Sequence, residues 1–455
     1  MGVGSLVREQ RYIDKSSHSA HTSQMATSTR RSSRLRIAFC AVLVAVLAGL
    51  ITPPSAEALS RPAAKTIATG LSDIPCRYAL LASKGTTAVV AYLNGETIKS
   101  RRSLNAGVTW ESARTISLSE TEGSFFGSCV AVVATSKYFY LVADTQATAQ
   151  VDPACVDQYV DEVLVACETI DTSTLRFWRS SDGKAWSQVR QIDSTSMDEF
   201  RVSASATQLF LAAYESNVAW GCEEDCPPDT TTIKVYESGI NNVTFGRARE
   251  LVTDVAVYDD DTAMFQLGGG SIATLTWIDS TGTSYIRSRA GVRNWRSARS
   301  LGTYTTEAVS ASSGKSVFVS WSPESASSFR WRMSSNSGSS FSSSKLKADS
   351  YYDWSQIRNV WAIGAKYGVA VYRWDSSLNP ITDIYTSTAT SSTKRWSMRS
   401  GEICVGGSYV KSKVLVVGRT ESTSAGDWVW DDDLQDYEWV EGTTTYSLYS
   451  YTAAP

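Results

Sequence analysis

Short runs crowded with β-branched and aromatic residues recur along the chain at strand length: Thr87–Tyr92, Tyr138–Ala143, Leu209–Tyr214, Ile272–Trp277, Val317–Trp321, Val369–Arg373 and Val414–Gly418. Each follows a run containing small residues, such as Tyr78–Ser83, Val130–Thr135, Ala308–Ser312 and Cys404–Val410. Each precedes a third run and then a fourth, which carries a base and usually Ile or Leu, as in Arg114-Thr-Ile116 and Arg299-Ser-Leu301. Helical periodicity is absent. The pattern predicts units of four antiparallel strands, A to D from inner to outer, with successive B runs about 45–70 residues apart. A unit made only of strands cannot bury its own apolar face, so its repetition dictates the architecture. The prediction is an all-β, seven-bladed β-propeller of four-stranded antiparallel blades, with six blades as the alternative.

The last unit has no fourth strand, because the chain ends shortly after its C run, Thr443–Tyr451. Ahead of the first A run lies an orphan, Ala64-Lys65-Thr-Ile67-Ala-Thr-Gly70, that matches Ala113-Arg114-Thr-Ile116-Ser. The N-terminal strand is therefore expected to complete the last blade, closing the ring and leaving no open edge at the seam.

The turn between the C and D runs carries a repeated motif. It reads Ser103-Leu-Asn105-Ala-Gly107-Val-Thr109-Trp110, Ser180-Ser-Asp182-Gly183-Lys-Ala-Trp186 and Ser334-Ser-Asn336-Ser-Gly338-Ser-Ser-Phe341 in units 1, 2 and 5. Units 3 and 4 keep only the serine and the aromatic (Ser238…Phe245, Ser288…Trp295), unit 6 is stretched (Ser387…Trp396), and unit 7 lacks the motif. A base follows the aromatic by four residues in units 1 to 5, and strand D is expected to start at the aromatic. Asp or Asn can cap backbone N–H groups in a tight turn, Gly supplies positive φ, and an aromatic can wedge between neighbouring sheets. These are structural tasks.

The motif resembles the Asp-box, or BNR, repeat of secreted bacterial sialidase-like β-propellers, Ser-x-Asp-x-Gly-x-Thr-Trp, over residues 64–451. The resemblance implies fold. In sialidases it would further imply three arginines on a substrate carboxylate, a Tyr/Glu nucleophile pair and an acid/base Asp. Arg77, Arg201 and Arg358 stand at A-strand starts, and Phe200-Arg201-Val202-Ser203 is similar to the family's Phe/Tyr-Arg-Ile-Pro. Three departures weigh against a sialidase: the proline is missing, the motif falls in the third unit, and the family propeller has six blades.

The N-terminus changes the chemistry available. Residues 1–58 read as a secretory signal peptide: Arg30-Arg31 and Arg34-Leu-Arg36, an uncharged run from Ile37 to Ile51, then Ala56-Glu57-Ala58, with Met25 as an alternative start. The run is shorter than the roughly 20 residues a membrane span needs. The expected product is a secreted extracellular domain, residues 59–455, monomeric and without a membrane span. Both histidines, His18 and His21, fall in the leader, so His-dependent catalysis and His-ligated metal sites are excluded from the mature chain. Seven of the 43 Lys/Arg and three of the 46 Asp/Glu also leave with it, giving a net charge near −7 that disfavours nucleic acid.

In an antiparallel blade the C–D turns lie on one face, and the D–A and B–C connections lie on the other. The D–A connections each carry an acid: Asp73, Glu122, Asp198-Glu199, Asp259-Asp260-Asp261, Glu307, Asp353 and Glu402. These acids are expected to ring the channel mouth. Three B–C connections are long, acidic and aromatic: 144–174, 215–230 and 421–442. The second holds Trp220, Glu223 and Glu224; the third holds Trp428, Trp430, Tyr437 and Trp439 and reads as a hairpin with an acidic tip. Long loops on a rigid scaffold are where recognition is usually placed. Cys155–Cys167 and Cys222–Cys226 are expected as local disulfides, with a Cys-x3-Cys metal site as the rival to the second, and Cys76–Cys404 would staple the seam.

Two functions follow. One is a recognition propeller binding a glycan or a cationic protein, since aromatic rings stack on sugars and carboxylates accept hydroxyl hydrogen bonds. No cofactor is expected, although Asp431-Asp432-Asp433 or Asp259-Asp260-Asp261 would suit calcium. The other is a glycoside hydrolase, which needs two suitably separated carboxylates; Glu223 and Asp261 are its candidates, alongside the three arginines.

Overall fold

The computed structural model describes residues 60–454 apart from 72–79, 96, 117–123, 151–157, 161–162, 166–168, 195–196, 198, 218–229, 257–263, 290–293, 304–307, 324–327, 349–354, 375–376, 425–426, 432–435 and 441–442. Seven four-stranded antiparallel sheets form a seven-bladed propeller, which sets aside the six-bladed alternative. The innermost strands A are Leu81–Lys84, Ser124–Ala134, Glu199–Ala204, Phe265–Gly268, Val309–Ser313, Ser355–Ile363 and Ile403–Val410. They are successive neighbours round the axis, and the first touches both the second and the last.

Closure occurs as the orphan run predicts. Lys65–Leu71 is strand D of blade 7 and pairs with the C strand Thr444–Ala453, setting Lys65 opposite Ser450 and Leu71 opposite Tyr446. Ile67 and Leu71 are buried there against Leu81 and Val90 of blade 1 and Leu415 and Val417 of blade 7. Seven apolar clusters exist, one between each pair of neighbouring sheets, so each blade buries both faces only because it has two neighbours.

The motif turns do the work their residue types predict. Ser180 Oγ accepts the Gly183 N–H at 2.8 Å, and Asp182 Oδ1 accepts the amides of Lys184 and Ala185 at 2.8 and 3.1 Å. Asn105 and Asn336 accept the amides of Thr109 and Ser340 in the same way. Gly183 sits at φ +78°, and a Cβ there would come within 2.4 Å of Val89 Cγ2 in blade 1.

In units 1 to 5 each motif aromatic reaches back to strand C of the preceding blade. Trp110 Nε1 donates to Ser450 Oγ, Trp186 Nε1 to Ser100 Oγ and Trp295 Nε1 to Glu237 Oε1. Phe245 packs 5.1 Å from Phe177, ring to ring, and Phe341 joins the cluster of Ile286. Strand D does not start at the aromatic, as expected, but just beyond it: at the base in Arg114–Ile116, Arg249–Val252, Arg299–Thr303 and Lys345–Ala348, and at Ser187 in blade 2. The aromatic has to leave the edge strand to wedge between sheets.

Two of the three long B–C connections turn out to be largely strand. In blade 2, Phe139–Gln150 pairs without interruption with Thr169–Ser180. In blade 7, Lys413–Thr423 pairs with Thr444–Ala453, and a further hairpin, Asp427–Asp431 with Asp436–Val440, continues the same register count from Thr423 opposite Thr444 to Asp427 opposite Val440.

Candidate functional site

The A strands of all seven blades enclose an axial cavity of about 340 Å³, within the size range of small-ligand sites. Arg201 and Arg358, two of the three arginines singled out from the sequence, both line it, together with Ser83, Ser203, Gln266 and Asn359. Arg77 lies outside the described residues. Near the A–B turns, strands of blades 3, 4 and 5 bond to one another: Gly270 N–H to Ala204 O at 3.2 Å and Ser312 N–H to Gly269 O at 3.0 Å. These bonds tie the inner strands together on the motif side.

Neither arginine is a loose cation. Arg201 pairs with Glu199 at 2.5 Å, donates to Phe200 O at 3.0 Å and lies 5.1 Å over the Phe265 ring. Arg358 lies 4.8 Å over the Tyr372 ring. Burial pushes the Tyr372 phenol up, against the opposing pull of Arg358 and Arg419. Tyr372 in turn meets Trp374 edge to face at 6.0 Å. A guanidinium–aromatic stack therefore runs from the channel outward between blades 6 and 7.

Trp374 ends strand B of blade 6 and is 39% exposed; Leu378, in the following B–C turn, is 74% exposed at φ +60°. A leucine in the left-handed region is strained and leaves its apolar side chain in water. The turn is short, so its length gives no signal in the sequence. Its signal was the pair of large apolar residues bracketing a turn on the face already under suspicion.

Hairpin 427–440 has two unlike faces. Trp428 stands directly opposite Trp439 and Trp430 opposite Tyr437, so alternation places these four positions on one side of the ribbon. Asp427, Asp431, Asp436 and Glu438 take the other.

Of the D–A acids, two are described, and neither stands as a solvated carboxylate at the channel mouth. Glu199 is held by Arg201. Glu402 is fully buried between blades 6 and 7, where it accepts the Tyr451 hydroxyl and the Arg399 N–H. No Asp or Glu among the described residues lines the axial cavity. Trp220, Glu223, Glu224, Asp259, Asp260, Asp261, Glu307 and Asp353 lie outside the described residues, as do Cys76, Cys155, Cys167, Cys222 and Cys226.

Cys404 keeps a free, buried thiol that donates toward Gly406 O at 3.6 Å, and its expected partner, Cys76, lies outside the described residues; strand pairing and packing close the seam. Asp431 ends a hairpin strand, and among the described residues no group of three or more His, Cys, Asp or Glu is placed to hold a metal. No helix among them is long and apolar enough to cross a membrane.

No protein-family model matches the chain, and no curated protein matches it. Among solved structures the chain is similar to Pyrococcus horikoshii acylaminoacyl peptidase (9% identity, TM-score 0.43, 82% of this chain and 52% of that one). It is similar also to Trypanosoma rangeli sialidase (11% identity, TM-score 0.38, 75% and 56%) and to a prolyl endopeptidase (8% identity, TM-score 0.41, 85% and 50%). The chain spans about half the length of these structures.

Proposed function

We propose that this chain is a secreted recognition propeller with Asp-box-type repeats, capturing a glycan or a cationic protein surface on the face opposite its motif turns. Residues 1–58 would act as the export signal. One observation supports binding: the described lining of the axial cavity offers guanidinium (Arg201, Arg358), amide (Gln266, Asn359) and hydroxyl (Ser83, Ser203) groups, which suit an oxygen-rich ligand.

The long blade 7 connection, rich in aromatic and acidic residues and carrying the hairpin Asp427–Asp431 with Asp436–Val440, also supports recognition, since long elements on a rigid scaffold are a usual place for contact. Glycan-array binding by the full-length protein, run beside hydrolysis of an aryl glycoside panel, tests the reading. Saturable binding without turnover is expected. Turnover abolished by Glu223→Gln or Asp261→Asn would replace it with the hydrolase reading.

A further inference from the structure

We infer that the motif face, where the A–B and C–D turns lie side by side, docks on an anionic phospholipid bilayer. Ser337 N–H donates to Lys315 O at 2.7 Å and Ala106 N–H to Thr86 O at 3.1 Å, so the two kinds of turn share one end of the blades. The chain has a formal net charge of −3, yet this end is basic. Its A–B turns hold no Asp or Glu, and Lys137, Lys315, Lys366 and Lys411 stand exposed in or beside them in four different blades. Strand D adds Arg114, Arg190, Arg249, Arg299 and Lys345 of blades 1 to 5 and Lys65 of blade 7, none of them ion-paired among the described residues. The strand C partners of Arg114, Arg190, Arg249 and Lys345 are Ser100, Phe177, Val235 and Trp331, each three residues ahead of its motif serine, so these bases stand at one level. The C–D turns of blades 1 to 6 hold two acids, Glu111 and Asp182, and Arg102 answers both at 2.7 and 3.1 Å.

Guarding the open edge of strand D would require charge, but not charge of a single sign. Nor does the turn itself require the base, because Arg249 and Arg299 persist in units that have lost the motif's Asp and Gly. Spread over the blades at one end, these cations meet a flat polyanion all at once, whereas a linear polyanion is better met by a single basic track. Leu104 and Val108, 53% and 38% exposed in the blade 1 C–D turn, decide between the two. Apolar side chains set among bases gain by entering the acyl boundary of an anionic bilayer. A hydrated anionic polymer offers them nothing. Held in this way, the protein turns the face opposite its motif turns outward, clear of the bilayer.

Lysine acetylation footprinting of the full-length protein tests the docking. Vesicles of mixed phosphatidylglycerol and phosphatidylcholine should shield Lys315, Lys366 and Lys411 from an N-hydroxysuccinimide ester, and pure phosphatidylcholine vesicles should not. Full reactivity of the three lysines on the mixed vesicles would overturn the proposal. Co-sedimentation with the same vesicles should fall about tenfold or more when Lys315→Glu, Lys366→Glu and Lys411→Glu are combined, and should fall in the wild type as salt rises. Residues 1–58, with bases and an apolar run of their own, are identical in both proteins, so the ratio isolates the motif face. All three changes fall at exposed positions at the A–B turns, and circular dichroism checks the fold. Leu104→Ser with Val108→Ser should weaken sedimentation about threefold or more. An unchanged ratio for the triple variant would overturn the proposal. So would loss of that variant's retention on heparin without a change in vesicle binding, which would give the face to a linear polyanion instead.

Discussion

Trp110 Nε1 donates to Ser450 Oγ at 2.9 Å, joining the first blade's motif turn to strand C of the last blade. The same contact recurs from Trp186 to Ser100, but at Trp110 it spans the seam where the ring closes. Trp110→Phe should cost about 1 kcal/mol, the usual worth of one hydrogen bond, and Trp110→Ala about 2–4 kcal/mol from lost packing. Urea unfolding of the single variants and of Trp110→Phe with Ser450→Ala should give a coupling of about 1 kcal/mol.

Asp182 gives the fold an acid limit. Burial works to raise its carboxyl, but the amides of Lys184 and Ala185, the Ser180 hydroxyl and Arg102 outweigh that and lower it from 3.8 to about 2. A depressed folded-state pKa means that the contribution is complete above 3.8 and drains as pH falls toward 2. Asn already fills the equivalent places at 105 and 336. Asp182→Asn should therefore fold with the turn intact and show a shallower loss of thermal midpoint across that window. An unchanged acid profile would remove the assignment.

Trp361 lies flat against the backbone of Gly407 in the next blade, where a Cβ would come within 2.2 Å of its Cε3. The indole is buried and is also pressed on Gly368, where a Cβ would come within 2.1 Å of its Cε2. Gly407→Ala should destabilise the protein by about 1–3 kcal/mol, the usual cost of overpacking, and pairing it with Trp361→Leu should recover part of the loss in thermal unfolding.

Cys404 should be chemically silent in the native state. Burial pushes its thiol up to about 12, with only weak opposition from Gly406 and Arg358, so almost no thiolate exists at neutral or mildly alkaline pH. Peptide mass spectrometry after iodoacetamide treatment should find Cys404 unmodified in folded protein and alkylated in denaturant.

Much of this architecture is legible in the residues because it is enforced locally. The B strands are dense in β-branched residues, the motif turns need Asp or Asn with Gly, and the lone run at Lys65–Leu71 copies the edge strands. The site is less legible. The four aromatics of 427–440 are plain in the sequence, but their pairing, Trp428 opposite Trp439 and Trp430 opposite Tyr437, depends on the hairpin's register. Glu402 looks like a loop acid and is a buried partner of Tyr451, because the D–A connection from blade 6 into blade 7 dips between those two blades. The short turn holding Trp374 and Leu378 has no length signal at all; only exposure reveals it.

The closing pair of strands is separated by nearly the whole domain: Ser450 Oγ meets Lys65 O across 385 positions of sequence. A pairing so distant in sequence carries a large loop-closure cost, so ring closure is expected late in folding. Until the strand Thr444–Ala453 emerges, the blade 1 face that carries Leu81 and Val90 stays uncovered. A propeller of this kind is therefore vulnerable less as a finished protein than as an unfinished one, and its yield should be set by whatever shields the first blade during synthesis.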